Sequence, residues 1–191
     1  EKLALLALSV QTLQAAGFNA IGMDHFAKAT DPLTIAQLGQ KLTRNFQGYS
    51  VDPCDALLGL GVSAISQVGD QIWQHQKDLN DYYRAVAANQ LAVDKGLLLS
   101  RDDQIRADVI SSLMCNFVLD SAAIAKRWDI DFDQYFAQSL ESLQSCLDDQ
   151  LVKWQGSKLK VTARGRPWVR VVSACFDAYL LPQQQNYSKV V

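Results

Sequence analysis

A helix-rich α+β fold is predicted by three features of the sequence. These are a single helix–glycine–strand step at the start, a glycine- and proline-punctuated stretch in the middle, and a run of helices closed by a hairpin at the end. In the first, Leu3, Leu6, Val10 and Leu13 recur three and four residues apart, which is one face of a helix over residues 2–16. Leu5 and Leu8 make its first two turns apolar nearly all round, as in a helix covered on both sides. Gly17 supplies a left-handed stop, and Phe18 to Met23 reads as a short buried strand. Helix, glycine, apolar strand is the repeating step of a layered α/β protein. It occurs once, and the chain enters it at Glu1 without a Met, as expected where preceding steps lie upstream.

The middle stretch begins at Asp31-Pro32, a cap followed by proline at the first helical position, which opens a helix to about Leu42. Residues 44–66 follow, where Gly48, Pro53, Gly59 and Gly61 separate short extended pieces. A short helix is expected from Lys77 to Asn89 and an extended entry at Gly96 to Leu99. From Ser100 the pattern is helical. Ser100 and Asp103 form a variant capping box ahead of the stripe Ile105, Val109, Leu113 and Phe117. A short helix spans about Ser121 to Trp128. Asp131 or Asp133 caps a third, with Phe136, Leu140, Leu143 and Leu147 in line. Two strands around Gly156-Ser157 make a hairpin, and Pro167 starts a last helix carrying Trp168, Val172, Cys175, Phe176 and Tyr179. Three helices, a hairpin and a helix give a winged-helix-like order, so the chain divides into residues 1–76 and a helical C-terminal domain, 77–191. The polar tail around Gln183, Gln184 and Gln185 is expected to be loose.

Composition bounds the function. At 191 residues, 49% apolar and 20% charged, the chain is neither disordered nor disulfide-dense. It holds no run of 18 apolar residues, so no membrane span is expected. Cys54, Cys115, Cys146 and Cys175 make no CxxC, and His25 and His75 are isolated, so no metal site is signalled. Four solitary thiols suit buried positions in a reducing, cytoplasmic compartment. Charge is uneven. Residues 1–150 carry 11 Lys+Arg against 19 Asp+Glu, net −8, whereas residues 151–191 carry 7 against 1, net +6. A winged-helix order with a basic end would suit duplex DNA. The third helix, however, carries Asp133, Glu141, Asp148 and Asp149 and no Lys or Arg, and phosphates would repel it. No nucleic-acid partner is therefore expected. Lys153, Lys158, Lys160 and Arg164 read as a solvated wing face or as a surface docked on acids elsewhere in a larger protein.

Asp24 and His25 follow the first strand, at the end where α/β layers bind ligands, although a local Asp–His hydrogen bond accounts for them equally. The NFQGY stretch is the stronger candidate. Phe46 can stack on a flat ligand, Gln47 can donate and accept, and Gly48 keeps the backbone open. GLGVSAIS has glycines that admit a nucleotide-like group but lacks the GxGxxG spacing.

With GMDHF at 22–26, RNFQGY at 44–49, LGLGVSAIS at 58–66, RDDQIRADVISSLMCNF and VTARGRPWVRVVSACFDAYL, the sequence resembles the oxygen-independent coproporphyrinogen III oxidases along essentially its whole length. A paralogous group of heme chaperones shares the layout but lacks the joint GMDHF and NFQGY pattern. The resemblance implies a radical S-adenosylmethionine enzyme. Such an enzyme converts two propionates of coproporphyrinogen III to vinyl groups, giving protoporphyrinogen IX in heme synthesis. It also implies a [4Fe-4S] cluster held by a CxxxCxxC motif, which is absent here together with the first units of a partial barrel. The chain would then be the last helix–strand unit of a partial α/β barrel followed by a helical winged-helix-like C-terminal domain, inactive by itself and completed by an N-terminal barrel. Ile65 matches a family position that contacts S-adenosylmethionine, and Phe46 and Gln47 match a pocket-lining pair. Arg44 is added on chemical grounds, since a guanidinium grips a propionate bidentately.

Overall fold

The structure is a computed structural model and describes residues 2–180; the Gln183–Gln185 tail lies outside them. In chain order the elements begin with α1 (Lys2–Ala15), β1 (Phe18–Gly22), β2 (His25–Lys28), α2 (Pro32–Leu38), β3 (Thr43–Asn45) and β4 (Gly48–Ser50). They continue with β5 (Ala56–Leu57), β6 (Ile65–Val68), β7 (Gln71–His75), α3 (Leu79–Ala87), β8 (Val93–Leu98) and α4 (Arg101–Asn116). The last are β9 (Val118–Asp120), α5 (Ser121–Trp128), α6 (Phe132–Tyr135), α7 (Ala137–Asp148), β10 (Val152–Gln155), β11 (Lys158–Val161) and α8 (Val169–Ala174). The fold is α+β. Two compact units form, one from residues 1–51 with 105–191 and one from residues 52–104.

In the larger unit, Gly17 ends α1 at φ +83°, as its position requires. The strand that follows stands where the sequence places it and gains a partner that was not expected. Met23 takes φ +49° and turns the chain back at once, so β1 and β2 form an antiparallel hairpin with Gly22 opposite His25. Asp31 caps α2, accepting from the Leu33 N–H at 2.8 Å, but the helix closes at Leu38 because Gly39 and the left-handed Gln40 interrupt it. A second hairpin, β3–β4, pairs Arg44 with Tyr49 and Asn45 with Gly48, leaving Phe46 and Gln47 at its tip.

The expected capping box opens α4. Ser100 Oγ accepts from the Asp103 N–H at 3.1 Å, and the Asp103 carboxylate accepts from the Ser100 N–H at 2.8 Å. Ile105, Val109 and Leu113 are then completely buried, as their spacing demands. Asp120 caps α5, and Asp129 stops it in the left-handed region. The anticipated third helix is two: Asp131 caps the single turn α6, and Phe136 breaks the helical geometry before α7. Strands β10 and β11 pair around Gly156, and β9 adds to the other side of β11 to give the order β10-β11-β9. Phe136 of this region and Phe176 after α8 meet edge-to-face, 5.6 Å between centroids, in the centre of the core. A smaller cluster of Ile21, Ala27, Leu42 and Cys115 ties the first hairpin to α4.

Residues 52–104 form an antiparallel sheet in the order β5-β6-β7-β8, with α3 capped by Asp78 through the Asn80 and Asp81 N–H groups. Ser66 and Ala92 are buried within it. Among the described residues no helix is long and apolar enough to cross a membrane.

Candidate functional site

The two sequence motifs in the larger unit meet in one wall. The first hairpin supplies Gly22, Asp24 and His25, and the second supplies Arg44, Phe46, Gln47, Gly48 and Tyr49. Tyr49 is the joint. Its hydroxyl donates to the Met114 carbonyl at 3.0 Å, and its ring lies edge-on to His25 at 5.1 Å, with the Arg44 guanidinium 5.8 Å from its centroid. Two glycines make this approach possible. A Cβ on Gly22 would overlap the Tyr49 hydroxyl, and one on Gly48, at φ +142°, would press on His25 Nε2 at 3.1 Å. Burial first, and then the neighbouring Cys115, push the Tyr49 hydroxyl up to about 12 against the opposing pull of Arg44, so it stays a neutral donor. The Asp24–His25 pair foreseen as a local contact exists, with Oδ1 2.9 Å from Nδ1.

This wall borders a cavity of about 1000 Å³. Leu6 and Val10 of α1, Met23 and Phe26 of the first hairpin, and Met114 and Phe117 at the end of α4 give it an apolar surface. Three cations face it: Arg44, Arg166 and Arg170. The Arg166 guanidinium lies over the Phe117 ring, 4.6 Å from the centroid. Asp24 is the acid that lines it, and it is engaged by His25. A cavity of this size and lining suits a large, flat, apolar ligand that carries negative charge at its edges.

Of the residues singled out from sequence, Arg44, Phe46 and Gln47 line this cavity. Phe46 is half-exposed at the hairpin tip, and the Gln47 N–H is fixed by the Asn45 side chain at 2.8 Å, which points the turn into the opening. Ile65 lies in the other unit, half-buried at the start of β6 opposite Gln74. There Gly59 has a packing role, since a Cβ would lie 2.6 Å from the Ile65 carbonyl, and its N–H donates to Ser66 Oγ at 3.0 Å. Sequence reasoning passed over Arg166 and Arg170. The signal was present: they stand four residues apart around Pro167, off the apolar stripe of the last helix and inside the basic end of the chain.

The cysteines are dispersed. Cys54 is exposed, contrary to the buried position expected of it. Cys115 and Cys146 are buried and Cys175 is half-buried. Cys115 sits in the small cluster beside Ser111 Oγ at 3.9 Å, whereas Cys146 and Cys175 belong to the main core. Among the described residues no three His, Cys, Asp or Glu side chains come together.

Residues 99–168 match the HemN C-terminal domain family. Along its whole length the chain is 45% identical to the oxygen-independent coproporphyrinogen III oxidase of Escherichia coli and 40% identical to that of Synechocystis, spanning 42% of each. The chain thus spans less than half the length of these relatives. A solved structure described as coproporphyrinogen III oxidase (HemN) from Escherichia coli, a radical SAM enzyme, superposes with a TM-score of 0.90 at 46% identity. That superposition covers 94% of this chain and 41% of that one.

Proposed function

We propose that this chain, which carries a HemN C-terminal domain and is similar throughout to oxygen-independent coproporphyrinogen III oxidases, is the C-terminal part of such an enzyme. In this reading residues 1–76 end a partial α/β barrel and line its pocket, and residues 77–191 form a winged-helix-like C-terminal domain. The reaction is oxidative decarboxylation. Each of two propionates, –CH2CH2COO⁻, loses one hydrogen atom to the radical, one carbon dioxide, and one electron to an external one-electron acceptor, and becomes –CH=CH2. Coproporphyrinogen III thereby becomes protoporphyrinogen IX in heme synthesis. The observation that carries the reading is the cavity rimmed by guanidinium groups that have no carboxylate partner among the described residues, which suits a tetrapyrrole with carboxylates at its edge.

The chain's own residues have distinct tasks. Arg44 grips a propionate and holds the reacting side chain in place. Phe46 and Gln47 present an aromatic face and an amide to S-adenosylmethionine. Ile65, in the other unit, is assigned separately as an apolar contact for a bound S-adenosylmethionine. When bound, S-adenosylmethionine is the source of the hydrogen-abstracting radical. The thiols do not suit a [4Fe-4S] cluster: none stands in CxxxCxxC spacing, and two are buried among apolar side chains. The cluster therefore belongs to another part of the enzyme, and the chain alone is inactive. Iron–sulfide reconstitution of the 191-residue chain should give no stoichiometric cluster absorption. In the complete enzyme Arg44→Ala should raise KM for coproporphyrinogen III about 10-fold or more, the loss of one charge-assisted contact, with iron content unchanged; unaltered kinetics would remove Arg44 from the site.

A further inference from the structure

We infer that Arg166 and Arg170 are carboxylate-binding residues, which makes the C-terminal end of the chain a specificity-determining part of the pocket. Both side chains line the cavity, and they stand four residues apart where the 3-10 turn Arg166–Trp168 runs into α8. Neither they nor Arg44 pair with a carboxylate among the described residues. The acid in the cavity wall, Asp24, is held by His25. Three guanidinium groups therefore share one apolar-walled space with a single carboxylate. All three are solvent-exposed, so water screens their mutual repulsion, and they are placed to receive an anionic ligand that enters the cavity.

The geometry also restricts that anion. Arg44 rises from the β3–β4 hairpin, and Arg166 and Arg170 from the 3-10 turn and the helix α8 that follows it, so one ligand that meets both sources needs at least two carboxylates on a broad body. The Arg166 guanidinium lies over Phe117, 4.6 Å from the ring centroid, a contact that restrains the side chain at the cavity, where a guanidinium can meet a carboxylate bidentately. The basic end of the chain thus divides by role. All three side chains are exposed, but Arg166 and Arg170 line the cavity and Lys153, on β10, does not. This inference rests on the tetrapyrrole reading above and adds a consequence. Substrate with four carboxylates is gripped from both sides, and product left with two is gripped less, so these arginines favour substrate over product.

The test uses the complete enzyme and three porphyrin probes, with binding followed by fluorescence quenching. The probes are coproporphyrin III with four propionates, its neutral tetra-amide, and mesoporphyrin IX with two propionates. Wild type should bind the tetra-acid most tightly. Arg166→Gln and Arg170→Gln should each weaken tetra-acid binding about 10-fold or more and leave the tetra-amide within twofold. Arg166→Lys, which keeps the charge but not the fork, should be intermediate and serves if loss of the Phe117 contact impairs folding. Lys153→Gln, which removes the same charge away from the cavity, should have no effect. Wild type that binds acid and amide alike would refute the tetrapyrrole-carboxylate reading itself. A wild type that prefers the acid, with Arg170→Gln and Arg166→Lys unchanged or Lys153→Gln equally weakened, would overturn this inference and leave that reading standing.

Discussion

Gly22→Ala tests how the two hairpins are locked together. Gly22 does not occupy the left-handed region, so alanine adds no backbone strain there, and its effect comes from one methyl group. That methyl would overlap the Tyr49 hydroxyl, with Cζ at 2.8 Å and Cε2 at 3.3 Å. The ring must move, and in moving it gives up the 3.0 Å hydrogen bond to the Met114 carbonyl. Overpacking of this kind costs about 1–3 kcal/mol, of which about 1 is the lost hydrogen bond. Tyr49→Phe removes the same bond without the clash and should cost about 1 kcal/mol. In the double variant the worst contact has gone, so the two costs should sum to at least about 0.5 kcal/mol more than the double variant shows. Urea unfolding of the four chains measures this, with a midpoint shift of about 1 M for a 2 kcal/mol loss. Strict additivity would show that Gly22 and Tyr49 do not touch as described.

Two further outcomes follow from the same contacts. Tyr49 is pushed up to about 12 from an ordinary value near 10, so above pH 10 the unfolded chain loses its proton first and stability falls. Unfolding measured from pH 9 to 12 should show this decline between 10 and 12, with the Tyr49 contribution absent from Tyr49→Phe, and an equal decline in both proteins would refute it. Phe176→Ala empties a completely buried site against Phe136 and should cost about 3–5 kcal/mol by urea denaturation, a loss below 1 being incompatible with the core described.

Local signals were legible wherever the chemistry was local. The Asp31-Pro32 start, the Ser100–Asp103 box and the Ile105–Val109–Leu113 stripe all depend on residues within one or two turns, and each stands where the sequence places it. The first strand was legible but its hairpin partner was not, because the turn rests on the left-handed Met23, a residue type with no preference for that region. Strand β9 is three residues long, too short to display a period. In the site, Phe46, Gln47 and Arg44 could be found because one hexapeptide carries all three. Arg166 and Arg170 reach the same cavity from about 120 residues away in sequence, by the packing of α8 that no local pattern encodes.

The central claim is that this cavity belongs to an enzyme that turns propionates into vinyl groups. Its most direct test is anaerobic incubation of the complete protein with coproporphyrinogen III, S-adenosylmethionine, a reductant and an added one-electron acceptor. Products are then oxidised to porphyrins and separated by chromatography. The account predicts protoporphyrin IX with two carbon dioxide molecules released per tetrapyrrole. No vinyl product, together with tight stoichiometric heme binding, would contradict it and point to the chaperone paralogue.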